Sequence, residues 1–446
     1  MKKSAILCIA AGSLCGTANA GTIGADVIVG ELPSIQYYGE VSGIRAYSVA
    51  TTSCNIGDVP LEWFDGTNRH PVIGQTMYRV TTDGNRIEQL GQSWLKHGFA
   101  ALTGNACGLG CNNPGSFSLL GVGCSDPYSS GLNGQQSNLG TKTQVNAYTG
   151  FFNWPFGGRG QSGNAIFKRL QVQVSEVNEG GSFYVGSQYV SPDDAEAGNQ
   201  HNNASFRPIV SFGSGGSFSM SSFTRREQAP IYAWKEINND VQIQEVFVPG
   251  EGMFNLGSLA VDNGDGTWTY EYALHNQTSH RSADSFAIPG SASSTDFRDV
   301  AYHSGDAYSG TDWTATEGGS MVTFAAADQG AVTNALRWGT MYNFSVTTDT
   351  EPTTGEVEIG LYRDAAGNVG SSEVVSVSTV VPSAGAQGCN AADNAAPFGV
   401  LDLADVQGFI SAFTSQGDAA DVAEPFGTWD LADVQGFISA FTAGCP

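Results

Sequence analysis

Phe254–His275 reads FNLGSLAVDNGDGTWTYEYALH, and this stretch decides the fold of most of the chain. Two runs rich in apolar and aromatic residues, Phe254–Val261 and Thr267–His275, flank Asp262-Asn263-Gly264-Asp265-Gly266. Asn and Gly accept positive φ at little steric cost, so the link predicts a hairpin between two strands. Similar short runs recur on either side with turn residues between them: Val241–Val248, Phe297–His303, Met321–Phe324, Met341–Thr347, Glu356–Tyr362 and Glu373–Val380. Strands of this length and spacing predict an immunoglobulin-like β-sandwich over residues 236–381.

Residues 21–235 read as a second β-rich domain, with strands at Ile166–Val174, Ser182–Val190, Pro208–Phe212 and Ser217–Phe223. Long stretches such as Gly104–Asn113 and Ser129–Gly140 make poor loops unless cross-links brace them. Pro382–Gly388, small and Pro/Gly-containing, reads as a linker to a tail at 389–446. The expected fold class is therefore mainly β, with helix confined mainly to the tail.

Residues 1–20 predict a secretory signal: Lys2 and Lys3, the apolar Ala5–Ala11, then Ala18-Asn19-Ala20 as a cleavage site. Its removal takes away Cys8 and Cys15 and leaves Cys54, Cys107, Cys111, Cys124, Cys389 and Cys445. An even set in an oxidising compartment implies disulfides. Cys389 and Cys445 bracket the tail and pair most simply with each other. The other four allow three connectivities, and a zinc site built on Cys107-x3-Cys111 with Cys124 and Cys54 is the alternative. Removing two lysines also shifts the net charge from -24 to -26. Such a surface repels nucleic acid and acidic membranes. No later run approaches the roughly 18 apolar residues of a membrane span. The expected location is secreted, extracellular or cell-surface.

The tail holds one unit written twice. DNAAPFGVLDLADVQGFISAFT begins at Asp393, and DVAEPFGTWDLADVQGFISAFT begins at Asp421, a period of 28 residues. Val406, Phe409, Ile410 and Phe413, repeated as Val434, Phe437, Ile438 and Phe441, mark one face of an amphipathic helix in each copy. Asp402 and Asp430 stand at the N-cap, with Asp405 and Asp433 three residues later, as in a capping box. Packed together, the two stripes cover each other, with Pro397-Phe398 and Pro425-Phe426 closing the ends. A core this small needs a staple, and a Cys389–Cys445 bridge supplies about 4 kcal/mol by loop entropy.

This arrangement resembles dockerin, the duplicated loop–helix anchoring module of secreted bacterial polysaccharide-degrading systems. It is closer to a variant that ends exported bacterial proteins in Gly-Cys, as Gly444-Cys445 does here. The matching text is Gly399-x-Leu401-Asp402-x-x-Asp405-Val406 and Gly427-x-Trp429-Asp430-x-x-Asp433-Val434. The resemblance implies attachment to a cohesin-like or other surface protein, and calcium as a candidate cofactor. The candidate calcium ligands are Asn394, Asp402 and Asp405 in the first copy and Asp421, Glu424, Asp430 and Asp433 in the second. Ala396 and Phe398, then Val422 and Phe426, stand where that family's loop places oxygen ligands. Calcium takes about six to eight oxygens, so the aspartates also read as helix caps. The partner-facing positions are Leu403, Ala404, Gln407 and Ser411, with Leu431, Ala432, Gln435 and Ser439. The body resembles a group of exported bacterial proteins carrying such tails, through His70–Gln75, Ser93–Phe99 and Gly123–Tyr128. That likeness implies shared architecture and no mechanism.

Other clusters read first as structure. Asp193-Asp194-Ala195-Glu196 with Asn199, His201, Asn202 and Asn203 has the chemistry of a calcium loop and equally of a solvated surface loop. Lys96 and His97 are candidates for proton transfer. Phe151–Phe156 has rings suited to sugar stacking or to core packing. No Gly-x-Ser-x-Gly elbow and no phosphate loop appears. With 43 acidic residues the sequence nominates no carboxylate pair for glycoside cleavage. The expected function is an exported protein displayed through its tail, with a structural or carbohydrate-binding body. The alternative is a polysaccharide-acting hydrolase delivered by the same tail.

Overall fold

The computed structural model describes residues 23–212, 215–300, 308–318, 320–327, 330–382, 390–395 and 400–445. The expected signal segment, residues 383–388 of the expected linker, and Cys389 with its expected bridge to Cys445 lie outside the described residues. The described chain is mainly β, built of several antiparallel sheets.

In the N-terminal region a seven-stranded sheet runs Leu139–Gly140, Leu95–His97, Val72–Val80, Ser182–Val190, Ala204–Phe212, Ser217–Met220, and Ile87–Gln92 also pairs with Val72–Val80. Val72–Val80 is buried at every position. Ile73 and Met77 enter one core, while Tyr78 and Val80 enter another, so no polar face survives to signal a strand by alternation. Two three-stranded sheets, Val27–Glu31, Thr51–Asn55, Ser125–Tyr128 and Leu170–Gln173, Ile44–Val49, Ile35–Val41, and a two-stranded sheet of Leu61–Glu62 with Leu119–Leu120 complete the region. The expected strand Ile166–Val174 is shorter, because Lys168 at φ 62° turns the chain before it and the helix Val174–Asn178 follows.

Two disulfides, Cys54–Cys107 and Cys111–Cys124, choose one of the three connectivities and consume all four sulfurs of the alternative zinc site. Gly30 is required beside the first bridge, since a Cβ there would overlap both the Cys54 and the Cys107 sulfur.

The second region consists of two five-stranded sheets around one core. One runs Gln242–Phe247, Met253–Asp262, Trp268–Asn276, Thr340–Thr348, Ser294–Arg298. The other runs Thr314–Gly318, Met321–Ala325, Ala283–Pro289, Pro352–Leu361, Val374–Pro382. Phe254, Leu256, Tyr270, Tyr272 and Leu274 of the first sheet meet Phe286, Ile288, Phe324, Val357 and Ile359 of the second. The opening hairpin forms as expected, with Asp262 paired to Trp268. Ala283–Pro289 and Thr314–Gly318 carry no expected strand and add one member each to the second sheet.

Alternation in the first sheet sends polar residues to its other face, and that face is buried against the N-terminal region. Arg86 grips Glu271 at 2.7 and 2.9 Å, Asn343 donates to the Ile87 carbonyl at 2.7 Å, and Met341 N donates to Gln89 Oε1 at 2.7 Å. Trp234, on the helix Tyr232–Ile237 that spans residue 235, fills the apolar part of this seam with Leu259, Ala273 and Met341.

In the tail, helices Leu403–Ser415 and Leu431–Ala443 pack through Phe409 and Phe437. Ile410 and Ile438 depart from the expected stripe and are exposed, as is Phe426, which closes no end. Phe398 lies outside the described residues.

Candidate functional site

Each tail helix opens with a complete capping box. Asp402 Oδ1 accepts from Ala404 N and Asp405 Oδ2 from Asp402 N; Asp430 and Asp433 repeat both bonds. Asp405 Oδ1 also accepts from the backbone of Asn394 and Ala395, and Asp433 Oδ1 from Val422 and Ala423. Each of these buried carboxylates thus ties its loop to its helix. Burial raises the Asp405 pKa, but the N–H groups of Asp402, Ala395 and Asn394 outweigh it and hold the group below the ordinary carboxylate range. The equivalent N–H groups, Asp430 first and then Ala423 and Val422, hold Asp433 low. Gly408 is open for the Asn394 side chain, which a Cβ there would meet.

In the described part of these loops the last-position carboxylates spend both oxygens on backbone donors, which sets them against a calcium ion. Asp421 Oδ2 accepts from Gly427 N at 2.6 Å, and Glu424 is exposed. Among the described residues, Asn394 Oδ1 and Asp421 Oδ1 are buried without a hydrogen-bond partner, far short of the roughly six to eight oxygens calcium takes. Among the described residues no group of three or more His, Cys, Asp or Glu is placed to hold a metal. Leu403, Gln407 and Ser411, with Leu431, Gln435 and Ser439, are exposed on the helices, and Ala404 and Ala432 are half-buried.

The body's polar clusters are structural. Asp194 is fully buried, accepting from Val27 N at 2.8 Å and Asn203 Nδ2 at 2.7 Å, and burial raises its pKa well above the ordinary value. Asp193 accepts from Glu62 N and Ser191 Oγ, both at 2.6 Å, and Asn199 donates to the Ile23 and Ala25 carbonyls. The cluster therefore pins the first strand, and is not the solvated loop its polarity suggests. Lys96 is buried with its Nζ bonded to the His97 carbonyl and 4.4 Å from the centroid of the Phe99 ring; burial pushes it down to about 7. His97 stacks on Phe156 at 3.6 Å, and burial, then His70, push it down to about 2. Phe152 and Phe156 are thus core residues, and Phe151 is exposed.

The seam between the two β regions opens into a cavity of about 130 Å³, lined among others by Lys142, His280, Tyr308, Arg337, Trp338 and Arg363. Lys142 Nζ donates to Gln92 Oε1 at 2.7 Å and to the Gly339 carbonyl at 3.0 Å. Arg337 lies over the Tyr308 ring at 3.4 Å and gives its Nη atoms to the carbonyls of Thr333, Ala335 and Ala331, while its buried Nε has no hydrogen-bond partner. Arg363 Nη1 donates to the His280 carbonyl at 2.5 Å and to Ser282 Oγ at 3.4 Å. The ion pairs of the described residues include neither Arg337 nor Arg363. Burial, then Arg363 and Arg337, push the His280 pKa down to about 4. An adjoining recess of about 360 Å³ shares His280 and Arg363 and adds Asn146, Glu251 and Asp364.

No family model matches the chain, and no curated relative does. Among solved structures it is similar to an exo-chitosanase from Amycolatopsis orientalis at 10% identity and a TM-score of 0.18, covering 78% of this chain and 26% of that one. A serine-rich repeat adhesion glycoprotein from Streptococcus agalactiae aligns at 9% identity and a TM-score of 0.20, covering 80% of this chain and 98% of that one. The chain spans about a quarter of the exo-chitosanase's length. TM-scores this low assign neither fold nor activity.

Sequence reasoning passes over Lys142, Arg337 and Arg363 because they stand far apart in the chain and in no motif. One signal was available: in a chain with 19 Lys and Arg against 43 acids, an Arg-Trp-Gly at Arg337–Gly339 and an Arg363 beside Tyr362 are scarce cations next to aromatics.

Proposed function

We propose that this is an exported protein attached outside the cell through a dockerin-like C-terminal module, with a body that binds a ligand and whose second region is an immunoglobulin-like sandwich. The carrying observation is that the two tail helices expose the same side chains twice. Leu403 and Leu431 are each 68% exposed, and Ile410 and Ile438 are 56% and 53% exposed. Apolar side chains held in water in two matching patches support a protein partner of the cohesin kind. Their low charge suits a dry contact. Two facing five-stranded sheets around one core support the sandwich reading.

The test is surface retention of the full chain in its own cells. Leu403→Asp and Leu431→Asp singly should leave attachment largely intact, because the second copy presents the same face; together they should release the protein to the medium. Equal retention of the double variant, with its helices intact by circular dichroism, would remove the attachment reading.

A further inference from the structure

We propose that the seam cavity is a binding site for a sugar acid, its single carboxylate held by Arg337 and Arg363 and its hydroxylated body extending into the adjoining recess. The inference deepens the ligand-binding reading of the body and is independent of the tail.

The charge balance points to an anion. In a chain of net charge -24, three cationic side chains converge on one small cavity, and no Asp or Glu is among its described lining residues. Arg363 leaves Nε and Nη2 without a hydrogen bond to the described residues, since only Nη1 is engaged. A guanidinium drawn partly out of water and outside the ion pairs of the described residues gains from an anion that completes it. Nε and Nη2 of Arg363 form a planar fork that matches a carboxylate, while Arg337, with both Nη atoms on backbone carbonyls, adds its charge beside it. Burial first, then Arg363 and Arg337, depress the pKa of His280 at the cavity wall.

Size and polarity narrow the class. A cavity of 130 Å³ is close to the volume that encloses benzene, so it admits roughly six heavy atoms, a carboxylate and the carbons next to it. The recess sharing Arg363 and His280 is lined by Asn146, Glu251 and Asp364, oxygen-bearing side chains that accept from hydroxyl groups. Those two carboxylates also repel a second anionic group, which favours one carboxylate on an otherwise neutral polyol. A hexuronate has that form.

Titration calorimetry on the full chain with glucuronate and galacturonate, against glucose and inorganic sulfate, tests this. At least one uronate should bind, glucose should not, and affinity should fall as salt rises. Arg363→Met should weaken binding tenfold or more, and Arg337→Met at least as much. Arg363 is the decisive position because it is half-buried; its variant is to be checked for an unchanged unfolding temperature without ligand. Uronate binding should also raise the His280 pKa, read by NMR. No uronate binding by the folded protein, equal affinity for glucose, binding of sulfate alone, or full affinity in Arg363→Met would each overturn the proposal. None of these results bears on retention by the tail, so the two readings fail separately.

Discussion

Phe409 stacks on Phe437 with ring centroids 4.2 Å apart, and the two residues hold the same place in the two tail repeats. The core of this small module is thus a side chain packed on its own copy. Phe409→Ala and Phe437→Ala should each cost about 3 kcal/mol, and they should cost the same within error. Hydrogen exchange of Leu403–Ser415 and Leu431–Ala443 in the full chain reads this directly. A large difference between the two variants would show that the repeats are not equivalent in the fold.

Asp405 and Asp433 predict acid lability confined to the tail. Their folded pKa values lie below the ordinary value, so the folded state favours the charged forms. That contribution is fully present above the unfolded pKa of about 3.9 and is lost as pH falls through the folded values. Tail protection, corrected for intrinsic exchange, should therefore fall below about pH 4. Asp405→Asn and Asp433→Asn should each lose it already at pH 7, because the amide nitrogen cannot accept the backbone donors that the carboxylate serves. Retained protection in either variant would show that these bonds are dispensable.

Gly30 and the Cys54–Cys107 bridge should be coupled. Gly30→Ala places a methyl group against both sulfurs and should destabilise by about 2 kcal/mol. In a Cys54→Ala, Cys107→Ala background the same change should cost much less. A double-mutant cycle in denaturant measures the difference, and additive costs would contradict the contact.

At the seam, Arg86→Met should lower stability by about 3 kcal/mol, since Glu271 is then left charged and buried. Arg86→Met combined with Glu271→Leu should recover most of that loss. Thermal unfolding of the full chain reads both. A double variant as weak as Arg86→Met would assign the loss to packing and not to the stranded charge.

Several strands were legible even where both faces are largely buried, and Val72–Val80 was not. Ser182–Val190 and the hairpin around Asn263 follow the local pattern closely. Val72–Val80 escaped because Gly74, Gln75, Thr76 and Arg79 interrupt its apolar run, so neither strict alternation nor a continuous apolar stretch marks it. Asp194 shows the converse error: a carboxylate in a polar, Gly-containing run reads as solvated, yet the fold closes Val27 and Asn203 over it.

By itself the sequence determined the β character of the body, the duplicated helices with their aspartate caps, and the set of cysteines available for bridges. Each of these rests on spacing of a few residues: period two, period 3.6, a turn, a cap. Tertiary structure alone decided which cysteines pair, that the polar face of the Met253–Asp262 sheet is buried, and that Lys142, Arg337 and Arg363 share one cavity. These are contacts between residues up to about 250 positions apart. Local propensity carries no record of them, because they exist only once two sheets have closed on each other.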